Sequence, residues 1–360
     1  MKKSLSLLLC AALALSLLAG CGPKNASSSG ASGPAGSQPG SASQSGSGSG
    51  GASSQEGPSA PVINFMALSG PTGVGAAYLM DSYSAENAPA DAPFVLSSTV
   101  EADNQVVSNA LVNGEADIAA MATNVAATLY AKTDGAIQVL CVNTLGVLYI
   151  LEKGDSVHAM TDLAGKTVYA TGQGANPEYV LNYLLTENGV DPASVDIQWL
   201  TAQEVTARMT SSEEAICMLP VPAATALMLQ DSGVRQAISL SSAWDRLEQG
   251  VLPQGCLVAR TDYIEENPQL VDAFLDLYGD SISFMTDENN LSDSAALVAE
   301  YGITANEKVA EAAIPQCNLT CLTGGEMKQA LETYYQVLVQ ADPASVGNSM
   351  PYDSFYYGAD

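Results

Sequence analysis

Ser69-Gly70-Pro71-Thr72-Gly73-Val74-Gly75-Ala76-Ala77-Tyr78-Leu79-Met80 is the stretch on which the reading of the fold turns. The apolar run Val62–Leu68 before it has the length and composition of a buried strand. Val74, Ala77, Tyr78 and Met80 after it recur at helical spacing, which predicts a helix over 72–83. A chain that leaves a strand at Gly-Pro-Thr-Gly and re-enters as a helix exposes the N–H groups of that helix's first turn. Thr72 is the expected cap, and the glycines let a ligand approach the main chain. Taken alone this is an ordinary strand–helix turn; its weight depends on whether the rest of the chain builds a site around it.

The same alternation of short apolar runs and helical patterns continues from residue 61 onward, as in an open α/β sheet. Strands are expected at Phe94–Thr99, Asp117–Met121 and Ile137–Asn143, with helices at Asn104–Asn113 and Asn124–Lys132. The pattern restarts with a strand at Thr167–Ala170, a helix at Tyr179–Asn188 and strands at Asp196–Leu200 and Ile216–Leu219. A late strand at 255–260 precedes a mostly helical tail. Two α/β halves followed by a return strand predict two lobes, one discontinuous: 61–150 with 253–360, and 151–252. A ligand is expected in the cleft between them, at the carboxyl ends of the strands.

Four turns fall at such ends: Ser69-Gly70-Pro71-Thr72-Gly73, Thr123-Asn124, Thr171-Gly172-Gln173-Gly174 with Asn176, and Pro220-Val221. Each alone is turn chemistry. Two come from each half, so together they outline a clamp touching both lobes.

The first 20 residues carry Lys2 and Lys3, an apolar stretch from Leu5 to Leu18, and small residues before Cys21, which is a signal peptide. Its apolar core is too short for a comfortable membrane span. Residues 21–60 are almost entirely Ser, Gly, Ala, Pro and Gln, a composition that cannot bury a core. As a random coil they reach roughly 30–40 Å. The remaining 300 residues hold nine basic and 38 acidic side chains, a formal charge of −29. Nucleic acid and anionic lipid are poor partners for such a surface.

Residue inventory argues against an enzyme. His158 is the one histidine, in a loop with no second ligand at metal spacing. No Gly-x-Ser-x-Gly elbow, P-loop or His-Glu-x-x-His occurs, and Thr171-Gly172-Gln173-Gly174 lacks the third glycine of a dinucleotide fingerprint. No cofactor and no metal are expected. Cys141, Cys217 and Cys256 sit in apolar runs and read as core residues. Cys317 and Cys321 are close enough for a local disulfide or stand as two separate thiols.

Several segments resemble the solute-binding proteins of ABC importers, in the group that takes nitrate, sulfonates and thiamine-pyrimidine precursors. They are Gly114-Glu115-Ala116-Asp117-Ile118-Ala119 before Thr123-Asn124, Asp162-Leu163-Ala164-Gly165-Lys166-Thr167-Val168, Gly172–Tyr179, Tyr263-Ile264-Glu265-Glu266-Asn267-Pro268 and Phe355-Tyr356-Tyr357. Leu18-Ala19-Gly20-Cys21 is similar to a bacterial lipobox, in which Cys21 is acylated.

The resemblance covers about 61–360. It implies a type 2 periplasmic-binding fold, with two lobes joined by two crossing strands and a helical C-terminal region. A small-molecule solute is captured between the lobes and delivered to a membrane permease and its ATPase, by a monomer held outside the cytoplasm on a lipid anchor. Carried onto this chain, the contacts are Ser69–Gly73, Thr123, Asn124, Thr144 at the crossover, Thr171–Asn176, Pro220 and Val221. Many relatives place Glu-Pro where this chain has Val221-Pro222, and the cysteine-rich iron motif of the family's few enzymes is absent. With no basic residue in these turns, a polar but uncharged or zwitterionic organic solute is expected, stacked on Tyr78, Tyr179 or Trp199. A lipid-anchored sensor presenting its ligand to a receptor is the alternative, and a secreted enzyme the more distant one.

Overall fold

The computed structural model describes residues 60–359. The segments expected as a signal peptide, an acylated Cys21 and a tether lie outside them, save for residue 60.

The first half runs β1 (Val62–Leu68), α1 (Pro71–Val74), α2 (Ala77–Ser82), β2 (Val95–Glu101), α3 (Asn104–Asn113), β3 (Ile118–Ala122), α4 (Thr123–Lys132) and β4 (Ile137–Thr144). The second runs β5 (Leu148–Lys153), β6 (Thr167–Ala170), α5 (Asn176–Glu187), β7 (Asp196–Trp199), α6 (Ala202–Ser211), β8 (Ala215–Pro220), α7 (Ala223–Gln230), β9 (Val234–Ser239) and α8 (Leu240–Asp245). The chain then returns through β10 (Gly255–Arg260) to α9 (Thr261–Glu266), α10 (Pro268–Thr286), α11 (Leu291–Glu300), α12 (Glu307–Ala313), β11 (Leu319–Leu322) and α13 (Gly324–Ala341).

Two sheets result, one of six strands in the order β11-β4-β10-β3-β1-β2 and one of five in the order β7-β6-β8-β5-β9. In the first sheet β1 is parallel to β2 and β3, and β10 inserts antiparallel between β3 and β4. In the second, β6 is parallel to β7 and β8, and β5 runs antiparallel to β8 and β9. The chain therefore crosses outward between Thr144 and Leu148 and back before Gly255. Strand Leu148–Lys153 belongs wholly to the second sheet, so the crossing comes slightly before the boundary at residue 150 expected from the sequence.

Parallel strands that are covered on both faces should read as apolar runs, and β3 (Ile118-Ala119-Ala120-Met121-Ala122) is buried throughout. One face of the first sheet packs under α10, where Phe65, Phe94, Phe274 and Tyr278 stack in a single cluster. The other face joins α4, α5, α8 and α13 in a core that spans both sheets. Trp244, Tyr334 and Tyr335 are its largest fully buried side chains.

The opening stretch departs from its expected form. One helix over 72–83 becomes two short ones, α1 and α2, parted at Gly75. A Cβ at Gly75 would meet the Ile282 side chain and the Tyr278 hydroxyl, so α10 packs closely against this glycine and a larger residue would have to displace those side chains. Thr72 does not cap the helix: the N-cap is Gly70, and Thr72 is buried with its carbonyl accepting from Asn143 Nδ2 at 2.9 Å. Strand β11 lies just after Cys317, within the tail expected to be mostly helical. Cys317 and Cys321 are both free thiols, while Cys141, Cys217 and Cys256 are buried as expected.

Candidate functional site

The carboxyl ends of β1, β2, β6, β7 and β8 converge on one cavity of about 690 Å3. Ser69, Gly70 and Pro71 line it from the first sheet, together with Ala102 beyond β2. Thr171, Gly172, Pro220 and Val221 line it from the second. This is the crevice where α/β sheets bind ligands, and its size falls within the range of small-molecule sites. Backbone bonds fix the mouths of these strands: Ser69 N–H donates to Glu101 O at 2.7 Å, Leu200 N–H to Ala170 O at 2.8 Å and Val221 N–H to Val147 O at 3.0 Å. Gly70 and Gly172 hold φ of 94° and 90°, a conformation a side chain would strain.

Two further walls come from segments that carry no glycine-rich signal. Leu200, Thr201, Ala202, Gln203 and Thr206 bring in the start of α6, and Ile303, Thr304, Ala305 and Val309 bring in the turn between α11 and α12. The start of α6 was nonetheless legible, because Thr201-Ala202-Gln203-Glu204 has the pattern of a capping box. Thr201 Oγ1 accepts from Glu204 N–H at 3.3 Å, while the Glu204 carboxylate accepts from Thr201 N–H at 2.9 Å and from its hydroxyl at 2.8 Å. Those two bonds from Thr201 hold the Glu204 carboxyl below its usual range. The first turn of α6 is therefore already occupied by a carboxylate.

No Asp, Glu, Lys, Arg or His lines the cavity, and no aromatic ring does either. Its polar groups are amides and the hydroxyls of Ser69, Thr171, Thr201, Thr206 and Thr304. The stacking partners expected from the sequence are engaged elsewhere. Tyr78 stacks on Phe284 with centroids 3.9 Å apart, while Tyr179 and Trp199 pack against the shared core.

The remaining candidate residues lie outside the cavity lining, and most of them are tied into a buried seam joining the two halves. Asn176, the first residue of α5, is 1% exposed. Its Nδ2 donates to Thr123 Oγ1 at 2.9 Å and to Gln254 O at 2.7 Å, and its Oδ1 accepts from the Tyr334 hydroxyl at 2.9 Å. The Thr123 hydroxyl donates to Pro253 O at 2.9 Å, and Thr123 O accepts from the Tyr335 hydroxyl at 2.7 Å. Asn124 Nδ2 reaches Ser345 O at 3.3 Å and Gly174 O at 3.4 Å. Burial pushes the Tyr334 and Tyr335 phenols well up, so both remain hydrogen-bond donors at neutral pH. Gln173 is exposed beside this seam.

Thr72, Gly73 and Thr144 form the support beneath the Ser69–Pro71 lip. Thr144 Oγ1 contacts Asn143 Oδ1 at 3.1 Å and Pro71 O at 3.5 Å, and Asn143 Nδ2 bridges Thr72 O and the Tyr278 hydroxyl. A Cβ on Gly73 would strike Leu68 O, which accounts for glycine there. Among the described residues no group of three or more His, Cys, Asp or Glu side chains stands where it could hold a metal ion, and no helix is long and apolar enough to cross a membrane.

No curated protein matches the chain by sequence. Solved structures do match its fold. An ABC transporter protein from Parabacteroides distasonis is 23% identical with a TM-score of 0.66, over 82% of this chain and 98% of the other. The periplasmic aliphatic sulphonate binding protein SsuA from Escherichia coli is 16% identical with a TM-score of 0.62, over 81% and 96%. The periplasmic nitrate-binding protein NrtA from Synechocystis is 16% identical with a TM-score of 0.52, over 71% and 69%. At these identities the likeness establishes the two-lobed periplasmic-binding fold. The profile of one family, described as NMT1/THI5 like, matches residues 98–290, more than half of the chain, and to that family the chain belongs.

Proposed function

We propose that the chain is the solute-binding component of an ABC importer, holding a small uncharged solute between its two lobes for a membrane permease driven by an ATPase. The observation that carries this reading is the cavity itself. It is assembled from strand ends of both sheets, so a bound solute touches both lobes and favours their closed arrangement. The names of the structural neighbours, binding proteins for sulphonate and nitrate, support the transport role. The lining supports a different solute class. A sulfonate or nitrate buried there would meet no cation, and an unpaired buried charge is costly.

Capture rather than catalysis fits the lining as well. The Thr201 hydroxyl is held by the Glu204 carboxylate in the cap of α6, and the other hydroxyls have no acid or base among the lining residues to activate them. The protein would act outside the cytoplasm, anchored through an acylated Cys21, with residues 22–60 as the tether to the membrane surface.

A thermal-shift panel tests the proposal. An uncharged polar solute at 100 times its Kd stabilises by about 2.7 kcal/mol, so its melting temperature shift is readily seen. A sulfonate or nitrate that stabilised the protein more than every uncharged solute would overturn the ligand class. Silence across a broad panel of nutrients would overturn the binding role.

A further inference from the structure

Two of the free thiols meet. β11 pairs antiparallel with β4, with Leu319 opposite Thr144 and Leu322 opposite Val142, and the register slips between them. That pairing sets Cys321 against the Cys141–Asn143 stretch of β4. Both cysteines pack into the cluster beneath α10, while their neighbours Val142 and Leu322 pack into the core on the other side, so Cys141 and Cys321 share one face of the sheet. Cys317, only four residues away in sequence, packs into a separate cluster with its Sγ on Ala313 O. The chain neighbour is thus not the spatial neighbour.

We propose that Cys141 and Cys321 form a disulfide that pins β11 to β4 when the protein meets an external disulfide oxidant. Cys321 is the accessible half, at the edge of a groove shared with Asp272, Asp276 and Thr323, while Cys141 is fully buried. Burial raises the Cys141 pKa. Cys321, the more exposed half, meets the oxidant first and attacks as its thiolate, and Cys141 is the resolving thiol.

The Cys321 sulfur attacks one sulfur of the oxidant, forming a mixed disulfide and releasing one thiolate. Cys141 then gives up its proton and attacks the Cys321 sulfur, releasing the second. Two protein thiols lose two electrons and two protons, and one external disulfide becomes two thiols. The bond acts where the lobes are joined. Leu145 N–H donates to Asn318 O at 3.0 Å and Asn318 Nδ2 donates to Gly146 O, so the residue before β11 holds the outward crossing.

The test uses the full chain, reduced and then exposed to glutathione disulfide, alkylated, and mapped by mass spectrometry without reduction. The expected product is a cross-linked peptide joining Cys141 and Cys321, with a melting temperature raised by about 5 °C. Cys317→Ser should leave that link intact. Cys141→Ser should instead accumulate a stable mixed disulfide with glutathione at Cys321. Should Cys141→Ser fail to fold, Cys321→Ser serves in its place and should leave Cys141 reduced. A Cys317–Cys321 link, any other pairing, or both thiols still alkylated after exposure to the oxidant would overturn the proposal. The outcome does not depend on whether the chain binds a solute.

Discussion

The cavity and the seam are both built from the carboxyl ends of strands, and both draw on the two halves of the chain, yet they are opposite kinds of surface. The cavity is open, uncharged and lined by loose ends: Ser69–Pro71, Thr171-Gly172, Pro220-Val221. The seam, Thr123, Asn124 and Asn176 against Gln254, Tyr334 and Tyr335, is closed, and most of its amide and hydroxyl atoms are spent on one another and on backbone carbonyls, while Asn124 Oδ1 and Gln254 Nε2 stand buried without a partner. Side chains of the same chemistry serve a ligand in one place and hold two lobes together in the other. What separates them is burial and partner count, which residue type does not carry.

The sharpest way to break this contrast is Asn176→Ala. Asn176 makes two donor bonds and one acceptor bond while almost fully buried; its loss strands the Tyr334 hydroxyl and takes one bond each from Thr123 Oγ1 and Gln254 O, which keep Pro253 O and Thr123 N–H. Each buried unsatisfied group costs about 1–3 kcal/mol. Urea unfolding should therefore show a loss of about 3–5 kcal/mol. If stability held while solute binding vanished, Asn176 would belong to the site and the seam would be misread.

Ala305→Trp tests the other side. Ala305 is an exposed position on the cavity wall, so a large ring should fill the space without disturbing the core. Affinity should fall at least tenfold, about 1.4 kcal/mol, with stability changed by less than about 0.5 kcal/mol. Undiminished affinity in calorimetry would place the solute elsewhere. Thr201→Ala bridges the two kinds of role, since Thr201 both lines the cavity and caps α6. The lost cap should cost about 1 kcal/mol in thermal unfolding; a change within error would mean that Glu204 alone secures the helix start.

Much of the architecture was legible because periodicity and punctuation agree. Helix α3 runs over Asn104–Asn113 as its pattern predicts, and Gly114 closes it with φ of 74°. The losses have specific causes. The break at Gly75 depends on the approach of α10, some 200 residues away in sequence. β11 is four residues long with no alternation to mark it. In the site, glycine- and proline-rich turns drew attention to the lips of the cavity, whereas its walls at 200–206 and 303–309 rest on ordinary loop residues. Asn124 and Asn176 are where the sequence could not choose, since an amide at a helix start is equally suited to a ligand and to a carbonyl across a seam.

Acid should separate the two regions from the rest of the molecule. Neither the cavity nor the seam contains a carboxylate or an imidazole, so affinity should vary by less than about twofold between about pH 5 and 8. Global stability has a different dependence. Glu152, on β5, is 2% exposed. Burial pushes its carboxyl up, but the Ser156 hydroxyl and N–H, the Val157 N–H and the Arg235 guanidinium together hold it below its usual range. A carboxyl lowered by folding contributes fully above its unfolded-state value, and that contribution is lost as pH falls through the lowered one. Unfolding midpoints should thus be level at neutral pH and drop in acid, and Glu152→Gln should flatten part of that drop. A solute affinity that fell in step with stability would mean that an ionisable group reaches the ligand after all. The uncharged cavity, and the solute class read from it, would then have to be given up.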